Sequence, residues 1–258
     1  MGLEDRFDRI VAFVSERGRI SVDDLAEMLN VSKETVRRDL TKLAERGLVR
    51  KVHGGALAPQ TAEETPFDAR LAINRAEKLA IARRAAMLFQ PGDSLFVDAG
   101  STTVHFATAI SSAVRFTVIT NSPLVAMSVS RPRGGSECYL LGGRFDGETS
   151  ESIGPMVIEQ IQKLRADHAV ITIGGMDLTG TCADYSADEA YIARTMIERS
   201  QSVTVLADHT KLGRSALFQV CEARQIDRLV TDRPPPEAIS DALAAAGAEV
   251  ILANMTEL

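Results

Sequence analysis

The stretch Val31-Ser32-Lys33-Glu34-Thr35-Val36-Arg37-Arg38-Asp39-Leu40 decides how this 258-residue sequence is interpreted. At helical spacing Val36, Leu40 and Leu43 share an apolar face, which must pack against another element. Ser32 is a favourable N-cap for that helix. The opposite face is basic and rich in hydroxyl groups, and it consists of Glu34, Thr35, Arg37, Arg38, Thr41 and Lys42. Such a face suits the major groove of DNA, and the alternative is the solvated face of an ordinary helix.

The segments on either side favour the DNA-binding interpretation. Residues 3–15 repeat apolar side chains at helical spacing, and Ser21 with Asp24 predicts a capped second helix. A tight turn at Asn30-Val31 completes a helix-turn-helix. Residues 48–55 alternate and end in two glycines, which predicts a basic β-wing. The residues expected to contact DNA are Ser32, Lys33, Thr35, Arg37, Arg38, Lys42, Arg50, Lys51 and His53.

The distribution of charge supports the same interpretation. The chain has a net charge of −6, but seven bases and three acids give residues 31–55 a charge of +4 and leave −10 for the remainder. A basic module on an acidic body is typical of a DNA-binding regulator. Cys138, Cys182 and Cys221 are odd in number and widely spaced, which favours a reducing cytoplasm over a disulfide framework. With no signal peptide or membrane span expected, we predict a cytoplasmic protein.

The rest of the chain predicts a larger α/β domain. We expect a winged helix-turn-helix domain at 1–57, a linker at 58–74 and an effector-sensing α/β domain at 75–258. Strand-like and helical runs alternate in the last of these, which predicts a mostly parallel sheet covered on both faces. The candidate strands are Ser94–Asp98, Phe116–Thr120, Glu137–Leu141, His168–Ile173, Ser202–Ala207, Arg228–Thr231 and Glu249–Leu252.

Polar and small residues follow these strands, where α/β sheets bind their ligands. After the first strand come Asp98, Gly100 and the hydroxyl run Ser101-Thr102-Thr103, which then opens a helix. A helix N-terminus with a close-approach glycine is an anion site, and the alternative is a plain hydroxyl N-cap. Convergent polar residues at the other strand ends favour a phosphorylated sugar or polyol. No GxGxxG follows a strand, so no dinucleotide is expected, and we predict no cofactor.

The sequence resembles the DeoR-type bacterial transcriptional regulators over nearly its whole length. The residues that carry the resemblance are the stretch 31–40, Val52-His53-Gly54-Gly55-Ala56, Asp98-Ala99-Gly100-Ser101-Thr102-Thr103, Thr120-Asn121-Ser122 and Asp208-His209-Thr210-Lys211-Leu212-Gly213-Arg214. Thr65-Pro66-Phe67 and the run Thr231–Pro236 look closest to the glycerol-3-phosphate repressor branch. The resemblance implies a sensor domain related in fold to ribose-5-phosphate isomerase.

The resemblance also implies the residues of the effector site. A phosphate would lie on Gly100, Ser101, Thr102 and Thr103, with Lys211 as a further contact. Asp98, Asn121, Gly143, Asp177 and Glu189 would line the sugar side. Residues 181–186 depart from the family pattern, which leaves the identity of the sugar open.

The leading hypothesis is a repressor of a carbohydrate or polyol operon, without catalytic residues, that binds double-stranded operator DNA as a homodimer or homotetramer. Glycerol 3-phosphate or a sugar phosphate would be its effector. An alternative is an isomerase-like enzyme with an accessory DNA-binding module, in which Asp98, Asp177, Asp184 or Glu189 moves a proton. A metal sensor is disfavoured, because the four histidines lie at no ligand spacing from one another or from a cysteine.

Overall fold

The computed structural model describes residues 3–17, 19–45, 48–52, 54–57, 66–111, 115–130 and 135–253. The chain divides into two compact units, Met1–Asn74 and Arg75–Leu258, and each is described by itself.

The N-terminal unit is a winged helix-turn-helix. Its elements are α1 (Leu3–Arg17), β1 (Arg19–Ser21), α2 (Val22–Leu29), α3 (Lys33–Glu45), β2 (Arg50–Val52), β3 (Gly55–Leu57) and α4 (Phe67–Ala72). The three strands form an antiparallel sheet in the order β1-β3-β2, so β3 is the central strand of the wing. A side chain at Gly55 would place its Cβ 2.2 Å from the carbonyl oxygen of Ile20, which explains the glycine at this close strand contact.

Local sequence signals set the ends of α2 and α3. The Ser21 hydroxyl accepts a hydrogen bond from the Asp24 N–H, and Ser32 accepts one from the Thr35 N–H at 3.1 Å. Asn30 ends α2 in the left-handed region with a φ of 52°, which turns the chain into α3. Both predicted caps and the predicted turn are confirmed.

One apolar core holds this unit together. Val36, Leu40 and Leu43 of α3 are fully buried in it, as the spacing predicts, together with Phe7 and Ile10 of α1.

The segment predicted as a linker differs from the prediction in its second part. Residues 58–65 lie outside the described residues, but α4 occupies 67–72. Ala69 and Ile73 pack against the core of the N-terminal unit. The physical reason is that this stretch buries apolar side chains, which a solvated linker does not.

The C-terminal unit is built on a parallel sheet. Its helices are α5 (Arg75–Ala86), α6 (Ser101–Ile110), α7 (Pro123–Val129), α8 (Pro155–Gln162), α9 (Ala187–Glu198) and α10 (Glu237–Ala246). Its strands are β4 (Ser94–Val97), β5 (Thr117–Thr120), β6 (Glu137–Leu140), β7 (Arg144–Asp146), β8 (Glu151–Ile153), β9 (Ala166–Ile171), β10 (Gly175–Met176), β11 (Cys182–Asp184), β12 (Ser200–Leu206), β13 (Phe218–Cys221), β14 (Arg228–Thr231) and β15 (Glu249–Leu252).

Seven of these strands form the parallel sheet, in the order β15-β14-β12-β9-β4-β5-β6. Successive residues of β4 enter different apolar cores, with Phe96 in one and Leu95 and Val97 in the other, because a strand alternates its side chains between the two faces. The predicted mixed α/β fold class is confirmed. Two small antiparallel sheets, β7-β8 and β10-β11-β13, were not predicted. Among the described helices, none is both long enough and apolar enough to cross a membrane.

Candidate functional site

The exposed face of α3 carries the predicted DNA-contacting side chains. Arg37 and Arg38 are 56% and 77% exposed, and each lies 3.7 Å from a carboxylate oxygen of Glu34. Lys33 Nζ lies 2.9 Å from the exposed Asp23 carboxylate. Ion pairs this exposed are weak, so these cations can exchange their partners for phosphate oxygens.

The wing is tied to α3 through one hydroxyl group. Thr41 Oγ1 donates to the carbonyl oxygen of Arg37 at 2.8 Å and accepts from Lys51 Nζ at 2.7 Å. Arg50, on the same strand as Lys51, is exposed, as is Lys42 on α3. The described members of the predicted surface therefore lie on two adjoining elements. His53 lies outside the described residues.

A buried ion pair that we did not predict fixes α3 against α1. Asp39 is 3% exposed and accepts two hydrogen bonds from the Arg6 guanidinium, at 2.5 and 3.1 Å. Such a two-point contact restricts how α3 can rotate. The only sequence signal was an acid next to the apolar face of the helix.

In the C-terminal unit, the ends of four adjacent strands come together. The register pairs Val97 of β4 with Thr120 of β5, so Asp98 and Asn121 are the next residues on neighbouring strands. β9 lies on the other side of β4, followed by β12, and these two strands lead to Thr172 and Asp208. Polar groups predicted separately along the sequence therefore meet at the carboxyl edge of the sheet.

The loop after β4 is held close to the loop after β9. Asp98 Oδ2 accepts a hydrogen bond from the Thr172 N–H at 2.9 Å. A Cβ at Gly100 would lie 2.2 Å from Thr172 Oγ1, so only glycine fits without displacing Thr172. Gly100 also begins α6 without a side-chain cap, and Ser101, Thr102 and Thr103 are buried there. The plain hydroxyl N-cap considered for this run is therefore not formed, and the helix N-terminus keeps its positive dipole end for an anion.

Asn121 is held by residues of β8. Its Nδ2 donates to Glu151 Oε2 at 2.8 Å and to the carbonyl oxygen of Ser152 at 3.1 Å. Asn121 and Glu151 are 1% and 2% exposed. The amide orientation is therefore fixed by two buried acceptors.

Asp98 lies among other acids. Burial raises the pKa of Asp98 well above its ordinary value, the Thr172 N–H opposes the shift, and the nearby carboxyls of Asp184 and Glu151 add to it. Asp184, which is buried at the end of β11, accepts a hydrogen bond from the Tyr185 N–H at 2.8 Å. Three carboxyl groups from different elements thus influence one another at this end of the site.

A cluster of charged side chains with two lysines lies near Asp208, which follows β12. Burial alone would raise the pKa of Asp208, but Lys78, the Thr210 hydroxyl and Lys211 hold that pKa below its ordinary value. Lys78 belongs to α5 and is only 4% exposed. Two lysines beside one aspartate leave a net positive charge at this edge of the sheet, and such charge favours the binding of anions.

Three further predicted residues, Asp177, Glu189 and Gly143, make local structural contacts. Asp177 Oδ1 accepts hydrogen bonds from the N–H groups of Thr179 and Thr181 and from the Thr179 hydroxyl, so it stabilises the turn between β10 and β11. The N–H of Glu189 is capped by Ser186 in the first turn of α9. Gly143 packs against the carbonyl oxygen of Ile153 and the side chain of Val157, where a Cβ would come within 2.7 Å of each.

The sequence reasoning missed three residues of this region as site members, Lys78, Glu151 and Thr172, and it named Asp184 only as a candidate acid of the enzyme alternative. Lys78 carries the best signal, because a lysine on a predominantly apolar helix face is unusual. Glu151 and Asp184 lie on short strands without a clear period, and only the tertiary structure brings them to Asp98.

Comparison with known proteins gives the family. Residues 6–62 match the DeoR-like helix-turn-helix domain, and residues 73–233 match the DeoR C terminal sensor domain. The chain is 34% identical to the HTH-type transcriptional repressor CsqR of Escherichia coli, over 96% of this chain and 94% of the relative. It is 32% identical to the glycerol-3-phosphate regulon repressor of the same species, over 92% and 94%.

One solved structure that the chain resembles in part is ribose 5-phosphate isomerase A from Methanocaldococcus jannaschii. The TM-score is 0.40 and the sequence identity 16%, over 54% of this chain and 55% of the isomerase.

The fold and the matches together define a two-domain transcriptional regulator with a DNA-binding and a sensor domain. The chain belongs to the DeoR family. The relatives point to a regulator rather than to an enzyme.

Proposed function

We propose that this protein represses a carbohydrate or polyol operon and that a phosphorylated sugar or polyol in its sensor domain changes its affinity for the operator. The observation that carries the proposal is the uncapped, buried N-terminus of α6, which follows β4 at the same edge of the sheet as the buried Asp98 carboxyl and the Lys78–Asp208–Lys211 group after β12. An anion with a polar body fits that combination.

The DNA-binding surface consists of the exposed face of α3 and the β2 strand of the wing. Its proposed contacts are Ser32, Lys33, Thr35, Arg37, Arg38, Lys42, Arg50 and Lys51. Docking of α3 in the major groove would place the wing cations over phosphates. One such module makes few contacts, so we infer a homodimer or homotetramer on repeated half-sites.

The effector site consists of a phosphate end and a hydroxyl-binding end. Gly100, Ser101, Thr102 and Thr103 would hold the phosphate with Lys211, and Lys78 adds a second cation. Asp98 and Asn121 would bind hydroxyl groups. A relative named glycerol-3-phosphate regulon repressor supports glycerol 3-phosphate or a sugar phosphate as the class of effector. The ligand shifts the regulator only by as much as it prefers one conformation.

Gel retardation tests the DNA-binding half of this proposal. The probe is a duplex that the wild type itself selects from random-sequence DNA. Arg37→Ala with Arg38→Ala should weaken binding at least about tenfold and lower the salt dependence, because each lost phosphate contact removes about 0.9 from the slope. Lys163→Ala with Arg165→Ala removes the same charge from exposed sensor positions and should leave retardation unchanged. Equal binding by the two double variants would overturn the assigned surface.

A further inference from the structure

Two buried side-chain oxygens at the carboxyl ends of β4 and β5 have no hydrogen-bond partner among the described residues. They are Asp98 Oδ1 and Asn121 Oδ1, from side chains that are 7% and 1% exposed. Buried polar atoms without hydrogen-bond partners are unfavourable, so a ligand that brings hydroxyl groups to both atoms gains affinity from satisfying them. A hydroxyl group donates to the Asn121 oxygen and can accept a hydrogen bond from the protonated Asp98 carboxyl.

The contacts of Asn121 determine which ligand group it can bind. Its amide nitrogen already donates to Glu151 Oε2 and to the Ser152 carbonyl oxygen. A primary amide has two N–H donors, and both have acceptors here. The group left for a ligand is the amide oxygen, which requires a donor.

Charge divides the site into two ends. Lys78 and Lys211 provide positive charge near Asp208, which follows β12, and the N-terminus of α6 provides a positive dipole after β4. On the other side the carboxyls of Asp98, Glu151 and Asp184 are all buried and close enough to interact electrostatically. An anionic group brought among them would lose its hydration and meet the negative charge of Glu151 and Asp184, whereas a hydroxyl group would find hydrogen-bond partners.

We propose that the sensor is selective for monophosphates whose other end is an uncharged, hydroxyl-bearing group, and that Glu151 is the residue that sets this charge filter. The inference rests on the proposed function, since it assumes that the phosphate occupies the cationic end. It goes further in excluding bisphosphates and phosphorylated sugar acids. The exclusion is built from repulsion, which is how binding sites commonly achieve specificity.

Calorimetric titration of the full chain tests the filter with two matched ligand pairs. Glycerol 3-phosphate is compared with 3-phosphoglycerate, and fructose 6-phosphate with fructose 1,6-bisphosphate. Inorganic phosphate is the reference for the cationic end alone. The ligands with a second anionic group, 3-phosphoglycerate and fructose 1,6-bisphosphate, should bind no more tightly than inorganic phosphate. Glycerol 3-phosphate, fructose 6-phosphate or both should bind at least about tenfold more tightly than the matched ligand.

Glu151→Gln tests the role assigned to this carboxylate. Glutamine keeps the length of the side chain and an acceptor for Asn121 Nδ2, so the fold and the affinity for inorganic phosphate should be retained. The affinity for 3-phosphoglycerate and fructose 1,6-bisphosphate should rise at least about tenfold relative to inorganic phosphate. Glu159→Gln, on the exposed face of α8, removes the same charge away from the site and should leave every affinity unchanged.

The possible failures are distinct. Tight binding of 3-phosphoglycerate or fructose 1,6-bisphosphate to the wild type would overturn the charge filter. A Glu151→Gln variant that still discriminates equally between the two ligands of each pair would overturn it as well. Either result leaves a phosphate-responsive sensor in place. If neither inorganic phosphate nor any of the four phosphorylated ligands binds the wild type, the proposed effector site fails, and the filter fails with it.

Discussion

Asp39 in the N-terminal unit and Asp98 in the C-terminal unit are both buried carboxyl groups, but their surroundings differ. Both oxygens of Asp39 accept hydrogen bonds from the Arg6 guanidinium. Asp98 has one backbone donor, one oxygen without a partner and two acids as charged neighbours. The first arrangement fixes a helix in place, and the second leaves hydrogen-bonding capacity that a bound group could use. Asp39 therefore contributes to the stability of its unit, whereas Asp98 costs stability in the ligand-free protein.

The largest expected effect on stability comes from breaking the ion pair of Asp39 and Arg6. Asp39→Ala leaves the Arg6 guanidinium, whose side chain is 15% exposed, without its carboxylate. Loss of one partner of a buried pair costs about 3 kcal/mol. Urea unfolding followed by circular dichroism should show this loss in the N-terminal unit.

The exposed pair of Lys33 and Asp23 provides the control for that measurement. Asp23→Ala removes a carboxylate that is 68% exposed and should cost less than about 1 kcal/mol. Equal losses in the two variants would show that burial does not distinguish the pairs.

A somewhat smaller effect is expected from filling the space beside Asp98. Gly100→Ala places a Cβ against the Thr172 hydroxyl, and overpacking of this kind costs about 1–3 kcal/mol. Thermal unfolding should show the loss, and stabilisation by inorganic phosphate should disappear with it. Adding Thr172→Ala should recover part of the stability. Gly142→Ala meets no atom within 4 Å and should be neutral, so an equal loss there would contradict the argument.

The smallest expected effect on stability concerns Asp98 and depends on pH. Because burial raises the pKa of Asp98, the folded state keeps a proton that the unfolded chain releases. The stability that Asp98 contributes therefore falls as the pH rises from its ordinary value of 3.8 through the raised pKa. Asp98→Asn cannot ionise, so its advantage over the wild type should grow across that window to about 1 kcal/mol in the ligand-free protein.

Asp177 provides a control in which the stability should change with pH in the opposite direction. Burial opposes the shift, but hydrogen bonds from Thr179 and Thr181 hold the pKa of Asp177 below its ordinary value. The stability that Asp177 contributes is present above pH 3.8 and is lost as the pH falls through the lowered pKa. Asp177→Asn should therefore destabilise the protein at neutral pH. The same pH trend in both variants would refute the assigned surroundings.

Sequence patterns predicted the parts of the fold with a clear period. The seven strands of the parallel sheet each contain a short run of apolar residues, and the caps at Ser21 and Ser32 are local signals. The strands β7, β8, β10, β11 and β13 escaped prediction because they have only two to four residues and no period to detect. The helix at 67–72 was missed for a related reason, since six residues are too few for an amphipathic pattern.

The candidate site was predictable only where it lies directly after a strand. Asp98, Gly100 and Asn121 follow apolar runs, so the topology of a parallel sheet implies their convergence. Glu151 reaches Asn121 from thirty residues further along the chain, and Lys78 reaches Asp208 from a helix that precedes the sheet. No local pattern encodes such distant contacts. Asp177 was predicted as a ligand contact, although its carboxylate is used by its own turn.

The packing of α4 bears on how regulators of this kind can exchange parts. Ala69 and Ile73 belong to the packing of the N-terminal core, and the compact units divide at Asn74. A chimaera joined directly after the wing, at residue 57, would therefore strip apolar cover from the DNA-binding half. A junction after Asn74 keeps that half intact. In engineering or in natural recombination, a crossover at that point would let one promoter acquire a response to a new metabolite.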